Sequence, residues 1–310
     1  METKVLIRSH GRLKGISFVL FAAILWGVSG TVAQYLFQHK GYSPEWLVVV
    51  RLLISGVFFL LLSIVKGNRK IFEIWKSKEE RSSLLLFSIV GMLGVQYTFF
   101  AAINVGNAAT ATLLQYLAPV MIVCYFAIKL KRSPSINELL AILLALLGAF
   151  LLVTKGNFQH LSISGWAVFW GISSAFALAF YTLQPINLLR KWGSIIVIGW
   201  GMFVGGLAFS FLSPPWKFQG ELSFEALVAV LFIVLFGTLI PFYCYLESLK
   251  YISATETSLL ASAEPLSAAL LAVLWLRVPF GLVEWLGAAC IIGTIIILSQ
   301  ADDGDVKRSK

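Results

Sequence analysis

Charge is scarce in this chain: Asp, Glu, Lys and Arg make up 13% of its 310 residues, against 59% for apolar types. A soluble globular domain is nearer half apolar and a quarter charged, so the composition excludes that class and reads as an integral membrane protein. Cysteine is equally sparse. Cys124, Cys244 and Cys290 all lie in apolar runs, and an odd count so placed argues against a disulfide framework and for simple packing. The three histidines, His10, His39 and His160, fall outside the apolar runs without metal-ligand spacing, which argues against a zinc site or His-based catalysis. GxSxG, P-loop and HExxH motifs are missing, so the sequence offers no enzyme, no cofactor and no internal use of ATP. The net charge of +9 would suit nucleic acid only if clustered on one face. Here the basic residues sit in short loops between apolar segments, and nucleic acid is not expected as a partner.

What the chain has instead is apolar runs near the roughly 20 residues that cross a bilayer's hydrocarbon core. Ten spans are predicted, at 15–37, 44–65, 82–103, 107–129, 137–154, 163–185, 194–212, 225–248, 253–276 and 281–299. Ser82 to Ile128 carries no charge at all, and its length demands a turn, which Asn104, Gly106 and Asn107 can supply. The opening segment has the charged start of a signal peptide, but Gly15 to Gln38 is too long for the apolar part of one, so it reads as an uncleaved first span. Backbone without water must bond to itself, and the strict alternation of a barrel is missing, so the spans are helices. The tail from 300 onward, short and polar, reads as disordered.

Placement of Lys and Arg sets the orientation. With the N-terminus inside, nineteen of the 24 fall on the cytoplasmic side, in 4–14, 66–81, 129–132, 190–191, 250 and 307–310. Lys40, Lys155, Lys217 and Arg277 fall outside, and Arg51 lies within a span. Both termini are therefore expected in the cytoplasm.

Sliding the chain on itself by 146 residues aligns Gly91–Ala145 with Gly237–Ile291 without a gap. Matches include Gly91/Gly237, Tyr97/Tyr243, Pro119/Pro265 and Glu138/Glu284, and a shift of 150 pairs Gly15 with Gly165 and Gln34 with Gln184. The halves run 15–154 and 163–299, between a cytoplasmic segment 1–14 and a cytoplasmic tail 300–310. Five spans is an odd number, so the second half inserts upside down relative to the first. The expected fold is thus all-α: ten transmembrane helices as two inverted five-helix repeats, a transporter architecture with substrate at the midplane.

The residues then carry a family likeness. The chain resembles the drug/metabolite transporter superfamily, in particular bacterial exporters with two EamA repeats. The likeness rests on LWGVSGTVAQY in span 1, on Pro44 and Arg51 in SPEWLVVVRLLISG, and on QYTFFAAINVGNAATATLLQYLAPV in spans 3–4. Its second-half counterpart is FYCYLESLKYISATETSLLASAEPLSA. The AEPLSA run and the first-span motif look like the carboxylate, amino-acid and amine branch. The resemblance implies a bacterial cytoplasmic-membrane protein performing secondary export of small metabolites, with a proton-independent facilitator or drug efflux protein as alternatives. A glutamate common after the repeat helix in that family is missing from AIKLKRSPS and LWLRVPFG, so no role passes to it here. A receptor, a scaffold or a membrane-embedded enzyme are the alternatives of another class.

Glu264, followed by Pro265, stands about ten residues, or roughly 15 Å, into span 9. A charge near the bilayer centre costs about 2.5–3.5 kcal/mol on insertion scales, so it is either a buried structural Glu or a carboxylate that binds an ammonium group or exchanges a proton. Arg51, in span 2, can receive a substrate carboxylate through its planar fork or serve as a structural pair or interface anchor. The leading expectation has the two bracketing a small zwitterion or acid, with protons as a further partner. Gln34, Gln96, Tyr97, Gln115, Tyr116, Tyr181, Gln184 and Tyr243 are candidates for lining the cavity or for gluing helices. Pro119 and Pro265 are expected to bend their helices and free a carbonyl. Glu138 and Glu284 read as helix N-terminal residues, and Glu247 and Glu256 as a boundary cluster or an inner gate.

Overall fold

The computed structural model describes residues 2–67, 69–129, 131, 133–155, 163–248, 251–252, 260–261 and 263–308. His160, Lys250, Glu256 and the first part of the expected ninth span lie outside them. Among the described residues the regular structure is helical, with no strand. The main helices are α1 (Glu2–His39), α2 (Pro44–Val65), α3 (Lys78–Val105), α4 (Ala108–Lys129), α5 (Ile136–Thr154) and α6 (Gly165–Leu183). They continue with α7 (Ser194–Ser210), α8 (224–248), α9 (Ala263–Leu274) and α10 (Leu282–Arg308). Among the described residues, seven of these are long and apolar enough to cross a membrane, and the described parts of α7, α9 and the apolar part of α10, Leu282–Ile297, are shorter.

Local chemistry places the boundaries. Pro44 opens α2 behind Ser43, whose Oγ accepts from Trp46 N at 3.2 Å. The α3–α4 turn falls where Gly106 and Asn107 predict it, with Asn107 Oδ1 accepting from Thr110 N at 2.8 Å. Ser135 and Glu138 form a reciprocal capping box at the start of α5. At α10, Glu284 Oε2 accepts from Gly281 N at 3.0 Å. Both glutamates thus serve helix starts as expected. One expectation is corrected: residues 301–308, expected to be a disordered tail, continue α10 to Arg308. Extending an existing helix adds a hydrogen bond per residue without a new nucleus.

Helices α2 and α7 lie along each other, as do α5 and α10; the later part of α3 packs on α6, and α1 lies between α8 and α9. The start of α4 touches both α6 and α9. Glycines let these backbones meet. A Cβ on Gly56 would come within 2.5 Å of Phe203 N, and one on Gly206 within 3.0 Å of Leu53 N. Gly148 and Gly287 meet in the same way: a Cβ on Gly148 would fall 2.7 Å from Gly287 O, and one on Gly287 would fall 2.9 Å from Gly148 O. The largest apolar cluster joins α1, α2, α3, α7 and α8 around Leu47, Leu52, Phe59, Phe87, Met92 and Phe100.

Candidate functional site

Two helices contain a widened π-helical turn, α3 at Phe87–Leu93 and α8 at Leu235–Leu239. Such a turn shifts the hydrogen-bond register and recurs at functional places. The one in α8 receives Arg51. Arg51 Nε donates to Thr238 Oγ1 at 3.1 Å, Nη2 donates to Gly237 O at 3.2 Å, and the guanidinium carbon lies 4.8 Å from the Phe100 ring centroid. Thr238 donates its own proton to Ile233 O at 3.1 Å, leaving its oxygen free to accept from Arg51. Arg51 is 5% exposed, and no carboxylate lies within 4.0 Å of it among the described residues. One turn further along α2, Ser55 is fully buried with an unpartnered hydroxyl; a lone serine in an apolar run gives no sequence signal.

Glu264 lies on α9 and is shaped by its neighbour. Pro265 has no N–H, so the Ala261 carbonyl one turn back loses its helical donor. Tyr116 Oη replaces that donor, at 2.8 Å from Ala261 O, and also lies 3.1 Å from Glu264 Oε2. A hydroxyl has one proton, so it serves these two acceptors in turn or shares between them. Tyr116 reaches this point because α4 is broken there: Tyr116 N still bonds Thr112 O, but Leu117 N bonds Leu114 O in a tighter turn ahead of Pro119. The carbonyls expected to be freed by the two prolines are therefore partly accounted for within the protein.

Helix α1 touches both charged turns. A Cβ on Gly27 would fall 2.1 Å from Ser267 Oγ and 2.6 Å from Glu264 O, and one on Gly237 would fall 2.0 Å from Ser29 Oγ. The Gly27–Ser29 stretch thus packs on the Glu264 turn and on the turn that holds Arg51. Arg51 and Glu264 form no ion pair.

Aromatic rings gather around Glu264. Trp26, next to Gly27, lies 5.5 Å from Tyr245 and 5.3 Å from Phe242, centroid to centroid. Tyr181 stacks on Phe87 at 5.4 Å. Trp26, Tyr116, Tyr181, Tyr245 and Glu264 each keep partial accessibility. Among the residues expected to line a cavity or glue helices, α8 carries Tyr243, and Tyr245 is not one of them. Tyr243 is 43% exposed with the Lys66 ammonium 5.9 Å above its ring. Two residues on is roughly 200° round a helix, so Tyr245 points the opposite way, into the bundle. Helical phase within α8 was the signal that could have found it.

The other candidates are spread through the bundle. Gln34 Oε1 accepts from Ala108 N at 2.8 Å, capping α4, and its Nε2 donates to Gln38 Oε1 at 3.0 Å. Gln115 Nε2 donates to Ser174 Oγ at 2.6 Å, and Gln184 Nε2 to Ser83 O at 3.0 Å. Gln96 is buried on α3, one turn before Phe100. Tyr97 Oη donates to Glu45 Oε1 at 3.1 Å and its ring meets Trp170 and Phe209. At the same end of the bundle Lys40 pairs with Glu221 at 3.1 Å and Glu225 at 3.5 Å. The hydrogen bond to Glu221 holds the Lys40 ammonium above its ordinary pKa.

A bundle of apolar spans with charged groups held inside it is a form that membrane transport proteins take. The chain belongs to the EamA-like transporter family, which matches residues 13–154 and 165–300. It is 44% identical over 289 residues to the uncharacterized inner membrane transporter YicL of Salmonella typhimurium, covering 92% of this chain and 95% of that one. It is 26% identical over 294 residues to the uncharacterized transporter YwfM of Bacillus subtilis, covering 92% and 93%. A solved crystal structure at 17% identity superposes with a TM-score of 0.61 over 93% of this chain and 96% of that one, a likeness of fold.

Proposed function

We propose that this protein is a secondary transporter that exports a small metabolite, an amino acid or a related carboxylate or amine, by alternating access across the cytoplasmic membrane, without a chemical step. The observation that carries it is reciprocal packing between the halves. Gly56 of α2 meets Phe203 of α7, and Gly206 of α7 meets Leu53 of α2; each residue is 150 positions from its counterpart. The other contacts follow the same exchange. Helix α3 packs on α6 as α8 packs on α1, and α4 packs on α6 as α9 packs on α1. The π-helical turns contain the pair Gly91 and Gly237, and the helix-start glutamates are the pair Glu138 and Glu284. All this supports ten spans in two inverted halves, 15–154 and 163–299, with both termini in the cytoplasm as the basic residues require.

In this reading Glu264 is the charge that meets substrate and, when emptied, exchanges a proton. Arg51, its donors engaged by Gly237 and Thr238, ties α2 of the first half to α8 of the second and must slide or release as the halves rock. The symmetry partner of Glu264 at a shift of 146 is Ala118, and that of Arg51 at a shift of 150 is Gly201. The scaffold repeats and the charges do not. A metabolite panel in proteoliposomes, with and without a pH gradient, tests this on the wild type, Glu264→Gln and Arg51→Ala. The expected result is flux in the wild type, lost or no longer responsive to pH in Glu264→Gln and slowed in Arg51→Ala. Saturable binding without flux would make the protein a receptor, and equal flux through all three would remove the site assignment.

A further inference from the structure

We infer that the solute met by Glu264 is an organic cation, an ammonium carrying an apolar group, held among the rings of Trp26, Tyr116 and Tyr245. This rests on the reading of Glu264 as the substrate-facing charge. Four helices supply these groups: α1 Trp26, α4 Tyr116, α8 Tyr245 and α9 Glu264.

Three features point to a cation. First, Glu264 has no Lys, Arg or His within 4.0 Å among the described residues. A carboxylate inside a helix bundle normally meets a positive partner, and here its hydrogen-bond partner is the neutral Tyr116 hydroxyl. Second, the side chains gathered near it are aromatic, and indole and phenol rings attract cations through their negative faces while excluding bulk water. Third, α1 packs closely on the Glu264 turn at Gly27, a Cβ there falling 2.6 Å from Glu264 O, and Trp26, the residue before it, lies 5.5 Å from Tyr245. An anionic solute fits worse. It would face the Glu264 carboxylate, and the guanidinium that could neutralise it, Arg51, is buried and bonded to α8. An ammonium would instead lie against Glu264, donate to the carboxylate and to phenol oxygens, and lay its apolar group on the Trp26 and Tyr245 rings.

The test uses the full chain in nanodiscs and three molecules of similar shape: phenethylammonium, phenethyl alcohol and phenylpropanoate. Binding is read by calorimetry, and flux of the same three by uptake into proteoliposomes. The ammonium should bind about tenfold or more tightly than the alcohol, with the carboxylate weakest. Glu264→Gln and Tyr245→Leu should each weaken the ammonium about tenfold, while Tyr245→Phe keeps most of the affinity because the ring remains. Each variant is checked for monodisperse elution and a wild-type melting midpoint, and any that fails yields to Glu264→Asp or Trp26→Phe, expected to weaken binding by a smaller factor. The inference is overturned if the carboxylate binds as well as the ammonium, if folded Glu264→Gln keeps full affinity, or if the wild type fails to bind the ammonium. The two readings fail separately. Ammonium binding without flux removes the transporter and keeps the cation site; flux of carboxylates without ammonium binding does the reverse.

Discussion

Arg51 and Glu264 are both formal charges in apolar helices, and the protein deals with them in different ways. Arg51 is satisfied by neutral groups: a carbonyl exposed by a π-helical turn, a threonine oxygen and the face of Phe100. That arrangement uses the planar, multi-donor shape of guanidinium, which a compact ammonium lacks. Arg51→Lys is therefore expected to lose at least one of the two hydrogen bonds and to destabilise the protein by about 1–3 kcal/mol, read as a lower melting midpoint in detergent. Glu264→Gln should behave differently, since a glutamine oxygen can still accept from Tyr116. Its melting midpoint is expected to stay near wild type while transport falls; a drop as large as that of Arg51→Lys would mark Glu264 as structural. Both charges were conspicuous in the sequence. That Arg51 would find α8 was not, because its acceptors are a backbone oxygen and a hydroxyl 186 and 187 residues away.

At the scale of the helix, the breaks matter more than the regular turns. Pro265 removes the donor for Ala261 O, and Tyr116 fills the vacancy from the broken turn ahead of Pro119. Pro265→Ala would restore the missing N–H to α9 and compete with Tyr116 for that carbonyl. The helix should gain stability, and Tyr116 should be freed to bond Glu264 alone. The expected signature is a raised melting midpoint with slower transport, and unchanged transport would show that Pro265 is dispensable for it. Where α5 crosses α10, Gly148 faces Gly287. Gly148→Val should force the helices apart at a cost of about 1–3 kcal/mol, again read by melting. Such crossings were only half visible in the chain. Gly201, Gly205 and Gly206 form a small-residue pattern that signals close packing, but a pattern does not say which helix it meets. Gly206 lies against Leu53, and Gly201 against Phe87.

For the whole molecule, the basic loops predict topology directly. A periplasm-dependent reporter such as alkaline phosphatase should be inactive when fused after residue 310 and active when fused in the loops holding Lys155 or Lys217. Activity at the C-terminus would overturn the orientation. The sequence by itself determined the helical bundle and most of the boundaries seen among the described residues, because the bilayer length, the caps and the prolines act locally. The span expected at 44–65 is the helix Pro44–Val65, and the turn expected at Gly106–Asn107 lies there. It also marked the two unusual charges, since a charge in an apolar run stands out without reference to its surroundings. Only the tertiary structure decided what those charges touch. The lack of an ion pair between Arg51 and Glu264, the inward side of α8 that carries Tyr245, and the joining of Tyr116 to α9 depend on helical phase and on which helices lie side by side. Both are set by contacts between residues far apart in the chain, and no local stretch carries them.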